Sequence, residues 1–242
     1  EFFPGKAQLF SVSAFYKDFQ NPIEIQAQAN NSDKYINAKL GTNYGMEIEY
    51  RTLVSSIFGT ENSKFFDDLT VFTNLSIIRS KVDISNVVTS ATVQDTPMQG
   101  QSPYVFNAGL QYMNKELGWS FSANLNRIGD RIAIHGNQVQ GDENPAFWEK
   151  SRTLLDFQLA KFFLKDKLEI RLNVQNALAQ DLDFYQNNEL SSTKEITGFK
   201  AFTNKVLTGD SQNKNGYNKE EDDLVWKTKF GPTISLGLVY NF

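Results

Sequence analysis

The sequence predicts an all-β protein, an antiparallel transmembrane β-barrel. Two features of its 242 residues predict it. Apolar and polar residues alternate over stretches of membrane-spanning length, and the turns joining those stretches are alternately short and long. No run approaches the roughly 18–20 unbroken apolar residues that a membrane helix requires. A mean hydropathy of −0.42 is compatible with a barrel, because lumen-facing polar residues dilute the lipid-facing ones.

The opening Glu1-Phe2-Phe3-Pro4-Gly5-Lys6 reads as the end of one strand and a tight turn, so the chain is expected to begin in mid-hairpin, as a fragment. In the first strand, near 7–19, Phe10, Val12, Ala14 and Tyr16 share a face. A long connection, 20–42, follows. Tyr44, Met46, Ile48 and Tyr50 then alternate with Gly45, Glu47, Glu49 and Arg51. After Ile57 comes a link of about nine residues, longer than a hairpin turn. The third strand carries Leu69, Val71, Leu75 and Ile77 and leads into a second long connection, 81–100.

Tyr104, Phe106, Ala108, Leu110 and Tyr112 form the next apolar set, closed by a short turn at Asn114–Leu117. Trp119, Phe121, Ala123 and Leu125 alternate with Ser120, Ser122, Asn124 and Asn126 before a third long connection, 129–149. Leu155, Phe157 and Leu159 lead through the short turn Lys165-Asp166-Lys167 to Leu168, Ile170, Leu172 and Val174. The fourth and longest connection, 179–226, precedes the clearest strand, where Ile234, Leu236, Leu238, Tyr240 and Phe242 occupy even positions and Val239 is the single breach. That makes eight strands in one domain spanning 1–242. The alternative, a soluble β-sandwich, would have to bury these apolar faces under a second sheet.

Several segments in order resemble the C-terminal part of the barrel of TonB-dependent receptors, the gated outer-membrane importers. They are Gln99-Gly100-Gln101-Ser102-Pro103-Tyr104 entering a strand, Asn126-Arg127-Ile128-Gly129-Asp130-Arg131-Ile132 leaving one, Leu154-Leu155-Asp156-Phe157 with Leu168 through Leu178, and the last strand to Phe242. The resemblance implies that these are the last eight strands of a barrel of about 22. It places the long connections outside the cell and Phe242 at the periplasmic rim. It implies energy-coupled uptake of a scarce solute, such as an iron chelate, a cofactor, a glycan or a peptide. The partners it implies are outer-membrane lipid, the parent protein's plug domain and TonB, and it admits a surface lipoprotein. These residues contain nothing resembling the plug, so transport is expected of the parent protein. A passive porin and a structural or adhesive outer-membrane barrel are the alternatives.

The last strand, with Ile234, Leu236, Leu238, Tyr240 and Phe242, resembles the signal read by the outer-membrane assembly machinery, which docks a strand at an open edge. Glu47, Glu49, Arg51, Arg152, Asp156, Glu169 and Arg171 are expected to line the lumen as a hydrated wall with mutual ion pairs. In the longest connection Tyr185, Asn187, Asn188, Tyr217 and Trp226 are candidates for solute contact, since aromatics beside polar groups suit capture at a mouth.

Net charge of −4 argues against nucleic acid as a partner. The absence of cysteine excludes disulfides and thiolate chemistry within these residues. Glu220-Glu221-Asp222-Asp223 reads as a solvated charge run rather than a calcium site, and no cofactor or metal is expected. His135 is the sole histidine. A Ser-His-Asp site would have to use it, and nothing near it resembles a nucleophile turn, so no enzymatic activity is expected.

Overall fold

The computed structural model describes all residues except 4, 6–7, 29–31, 60–62, 86–94, 140–141, 187–216 and 221. Chain order runs β1 (Leu9–Gln20), β2 (Ile23–Ala27), β3 (Asp33–Asn37), β4 (Leu40–Leu53), α1 (Val54–Phe58), α2 (Lys64–Asp67), β5 (Leu69–Asp83), β6 (Asp95–Thr96), β7 (Tyr104–Asn114) and β8 (Trp119–Ile128). It continues with β9 (Arg131–Ile134), β10 (Asn137–Val139), β11 (Asp142–Asn144), β12 (Phe147–Glu149), β13 (Arg152–Phe163), β14 (Leu168–Gln175), β15 (Leu182–Gln186), β16 (Asp223–Thr228) and β17 (Thr233–Tyr240).

Eight long strands form one antiparallel sheet in the order β1-β4-β5-β7-β8-β13-β14-β17, with β6 at the end of β5. Each strand pairs with the next long one in sequence, as expected of a barrel meander. Because side chains alternate across a strand, register decides what shares a face. One row reads Tyr112, Phe121, Leu159, Leu172, Leu236 across five strands. The neighbouring row on the opposite face reads Gln111, Ser122, Gln158, Asn173, Ser235. There the Gln158 amide donates to Asn173 at 2.8 Å, and the Asn173 amide donates to Ser235 at 3.3 Å.

No second layer covers the apolar face among the described residues: Ile234, Leu236 and Leu238 are 67%, 74% and 70% exposed. A continuous apolar surface of this kind does not persist in water. A sandwich is therefore excluded, and the exposed face is the lipid-facing belt of a transmembrane barrel. All seven charges assigned to the lumen lie on the polar face by register. Two of the expected ion pairs form there, Arg171–Glu169 at 2.6 Å and Arg51–Glu49 at 3.6 Å. Four cations of the long strands sit on the apolar face, each toward a rim. One is Lys161, its ammonium 4.7 Å from the Trp119 ring and donating to the Leu117 carbonyl. Another is Arg127, hydrogen-bonded to Tyr104 and Thr153, and the other two are Arg79 and Lys81, paired in register with Tyr44 and Thr42 near the far end of β5. Such rim positions let a long side chain reach water while its stem stays in lipid.

The short turns at 114–117 and 165–167 form as predicted, while the first, Pro4-Gly5-Lys6, lies largely outside the described residues. Phe2 pairs with Phe10 across the first, and the Gln8 N–H donates to the Gly5 carbonyl. In the β7–β8 turn the Leu117 N–H donates to the Asn114 side chain at 2.7 Å, and Gly118 takes a left-handed φ of 63°. The link after β4 differs from expectation. It begins at Val54 rather than beyond Ile57, and it folds as α1 and α2, with Gly59 ending α1 at a left-handed φ of 64°. Val54 and Ser55 are buried and Ile57 and Phe58 are not, a one-turn helical pattern too short to emerge from periodicity.

The long connections are also built of paired strands. Within 20–42, β2 and β3 make a hairpin. Around 81–100, β5 runs on to Asp83 and β6 pairs with it. Within 129–149 lie β9, β10, β11 and β12, and β15 lies within 179–226, where β16 begins before running on to Thr228. Of these, β16-β15-β12-β9 form a separate four-stranded sheet that extends the hairpins β8–β13 and β14–β17.

Candidate functional site

Two polar-lined packing clusters define the long-connection end. The first joins three connections. His135 Nε2 lies 2.9 Å from Glu24 Oε2, both side chains almost fully buried. The backbone fixes this meeting: the His135 N–H donates to the Ile25 carbonyl and the Ala27 N–H to the His135 carbonyl, each at 2.9 Å, a parallel bridge between β2 and the end of β9. Gln99, from the connection between β5 and β7, locks it. Its N–H donates to Glu24 at 3.0 Å, its side-chain oxygen accepts from the Ile25 N–H at 3.0 Å, and its amide donates to the Ala133 carbonyl. Gln26 adds a bond to the Gly136 carbonyl at 3.3 Å. Burying these groups is tolerable only because each has partners.

The second cluster lies under the four-stranded sheet. Ile132, Trp148 and Tyr185 are its buried core, with Ala146 and Tyr217 packed against them. Tyr185 donates to Asp130 at 3.0 Å, and the Ser151 N–H donates to the other Asp130 oxygen. Arg131 pairs with Glu149 at 2.6 Å, and Arg152 lies 3.7 Å from the same carboxylate. Tyr217 meets the edge of Tyr185 at 5.2 Å and carries the Lys150 ammonium 4.2 Å above its ring. On the other face of the sheet Trp226 stacks on Phe184 at 5.3 Å and is 63% exposed.

The corner where this sheet meets the long strands is held by charge. Lys227 pairs with Asp181 at 2.7 Å and Asp183 at 3.5 Å, and the Phe230 N–H donates to Asp181 at 3.1 Å. The hydrogen bond from Lys227, helped by that N–H, holds the Asp181 carboxyl below its ordinary range, and Asp181 in turn raises Lys227 above its own.

Of the predicted solute-contact residues, the fold brings Tyr185 and Tyr217 together and sets Trp226 on the opposite face. Tyr185 is fully buried and supports Tyr217, which is half-buried. Asn187 and Asn188 lie outside the described residues. The acidic run is less solvated than expected. Asp222 is buried, accepting from the Asn218 N–H at 2.8 Å while its own N–H donates to the Asn218 carbonyl. Among the described residues no three His, Asp or Glu side chains converge as a metal site.

Glu24, Gln26 and Gln99 escaped sequence reasoning. The only available signal was the solitary histidine, whose Nε2 turns out to be engaged by a buried glutamate. The strand Thr233–Tyr240 carries four of the five positions expected to form an assembly signal, Ile234, Leu236, Leu238 and Tyr240, at one outer edge of the long sheet, and the ring of Phe242, just beyond it, lies 5.2 Å from that of Tyr240.

Residues 1–177 match the family model described as TonB dependent receptor-like, beta-barrel. No curated protein sequence matches the chain. Among solved structures, a copper transporter, OprC, is similar at 12% identity with a TM-score of 0.56, covering 99% of this chain and 30% of its own. The ferric yersiniabactin uptake receptor FyuA from Yersinia pestis is 14% identical with a TM-score of 0.51, over 75% of this chain and 24% of its own. The ferric citrate transporter FecA in its unliganded form is 16% identical with a TM-score of 0.52, over 75% and 26%. The chain thus spans about a quarter to a third of the length of these structures, and at such identities the likeness is one of fold.

Proposed function

The chain belongs to the TonB-dependent receptor β-barrel family, and from this we propose that it is part of the barrel of an outer-membrane importer taking up a scarce solute by energy-coupled transport. The family match over residues 1–177 carries the reading. The apolar belt and the built-up long connections support it. In this reading the short turns and α1–α2 face the periplasm and the two buried clusters stand outside. Trp226 and Tyr217, with Asn187 and Asn188, contact the solute, and buried Tyr185 holds Tyr217 in place. The parent protein's plug and TonB supply gating and energy. The strand bearing Ile234, Leu236, Leu238, Tyr240 and Phe242 docks on the assembly machinery, which a photo-crosslinking residue at Leu238 tests by capture of the nascent chain.

The solute class is an iron chelate, a cofactor, a glycan or a peptide. Growth of a strain deleted for the whole gene, with each candidate as the limiting nutrient, tests the function. We expect loss of growth on one class, restored by the full-length protein and abolished again when TonB is removed. Uptake that persists without TonB would replace this reading with a passive porin.

A further inference from the structure

The family match and the lipid belt say nothing about the two helices between β4 and β5. We propose that α1 and α2 form a lipid-anchoring foot, seated in the headgroup region of the membrane at the short-turn rim. They turn an unusual set of side chains outward: Ile57, Phe58 and Phe65 are 51%, 68% and 55% exposed. On α1 the buried residues are Val54 and Ser55, so the side facing the barrel is settled, and Ile57 and Phe58 are left exposed.

Continuity identifies what covers it. Phe65 packs on Tyr112 with ring centroids 5.2 Å apart. Tyr112 stands in the apolar row that runs through Phe121, Leu159, Leu172 and Leu236. The exposed side of the foot is thus an extension of the lipid-facing belt. It sits near the rim where Trp119, Phe163 and Tyr240 end their strands, and such rings prefer the membrane–water boundary. Phe58 and Phe65 both touch Phe66, which makes the apolar side one patch.

The foot is also braced. The Met113 N–H donates to the Asp68 carbonyl at 3.0 Å, Asn114 donates to the Asp68 carboxylate at 2.5 Å, and Lys64 pairs with Glu116 at 3.1 Å. Helices of five and four residues would not hold their shape alone. Tied to the neighbouring turn, they present a fixed wedge whose charged atoms can stay in water while its rings enter the headgroup layer.

Because residues 1–242 contain no cysteine, single labels test this in the full-length protein, with any cysteine elsewhere replaced. Ile57→Cys and Phe58→Cys would each carry a fluorophore, in vesicles of phosphatidylethanolamine and phosphatidylglycerol. Tyr35→Cys is the water reference and Leu236→Cys the acyl-chain reference, and heat-modifiable gel mobility verifies folding of each variant. We expect emission at 57 and 58 to fall roughly twofold with lipid spin-labelled high on its acyl chain, and iodide to quench these sites roughly fivefold less than Tyr35. Iodide quenching equal to that at Tyr35 would overturn the proposal. So would shielding from iodide without quenching by the spin-labelled lipid, since protein rather than lipid would then cover the patch. The two label sites are independent, so one that impairs folding leaves the other to decide.

Discussion

Gly45 shows how a single residue can set the spacing of two strands. It lies on the polar face, paired with Phe15 on β1 and Ile78 on β5. A methyl group there would press against the Ile77 carbonyl and lie 2.9 Å from the Phe15 ring. The ring of Phe15 takes the space that a side chain would fill, as that of Phe72 does over Gly109. Gly45→Ala should therefore cost about 1–3 kcal/mol through overpacking against backbone, which cannot rotate away as a side chain can. Chemical unfolding of the protein in lipid vesicles measures this. In the sequence Gly45 appears only as a polar-face position beside Tyr44 and Met46. Its need to be glycine depends on residues some thirty positions away on either side, which no local pattern records.

At the scale of elements, the strands and short turns were legible because each is a local statement: period two, a turn residue, a length. The long connections were legible only as long. Their pairing rests on contacts such as Gln26 with His135 that join distant segments. The meeting of Glu24, Gln99 and His135 makes a prediction at this scale. Glu24→Ala leaves the imidazole without its hydrogen-bond partner and the Gln99 N–H without its acceptor, a loss of about 1–3 kcal/mol for groups so buried, whereas Glu24→Gln keeps a hydrogen-bonding side chain in place. Hydrogen exchange should accelerate at the Ala27 and His135 amides in Glu24→Ala, less in Glu24→Gln, and not in the long strands. The Asp181–Lys227 corner responds to pH instead. Asp181, depressed when folded, contributes stability that is present above its unfolded value of 3.8 and is lost as pH falls through its lower folded value. Lys227, raised when folded, contributes stability that is complete below its unfolded value of 10.5 and lost as pH rises past it. Exchange at the Phe230 amide, which donates to Asp181, should therefore quicken in acid below pH 3.8 relative to its intrinsic rate. Asp181→Asn should remove that acid response.

The whole molecule depends on one division, oil on one side of a single sheet and water on the other. That division was legible because it is written strand by strand with a period of two, and the register then carries it unbroken from β4 to β17. The foot at α1–α2 was not legible in this way, since its apolar residues join the belt through the Phe65–Tyr112 contact rather than through any periodicity. Leu236 and Ser235 provide the sharpest test, being adjacent in the chain and opposite in environment. Leu236 stands in the lipid-facing row near the middle of β17, while Ser235 accepts a hydrogen bond from Asn173 on the polar face. Leu236→Arg places a charge in hydrocarbon and should cost about 2–4 kcal/mol near the midplane. Ser235→Arg faces water and should change stability by much less. Reversible folding of the full-length protein into vesicles, followed by gel mobility, compares the two. If both substitutions were equally tolerated, or equally damaging, the two faces could not be oil and water, and a membrane-spanning sheet would no longer explain why Ile234, Leu236 and Leu238 stand uncovered.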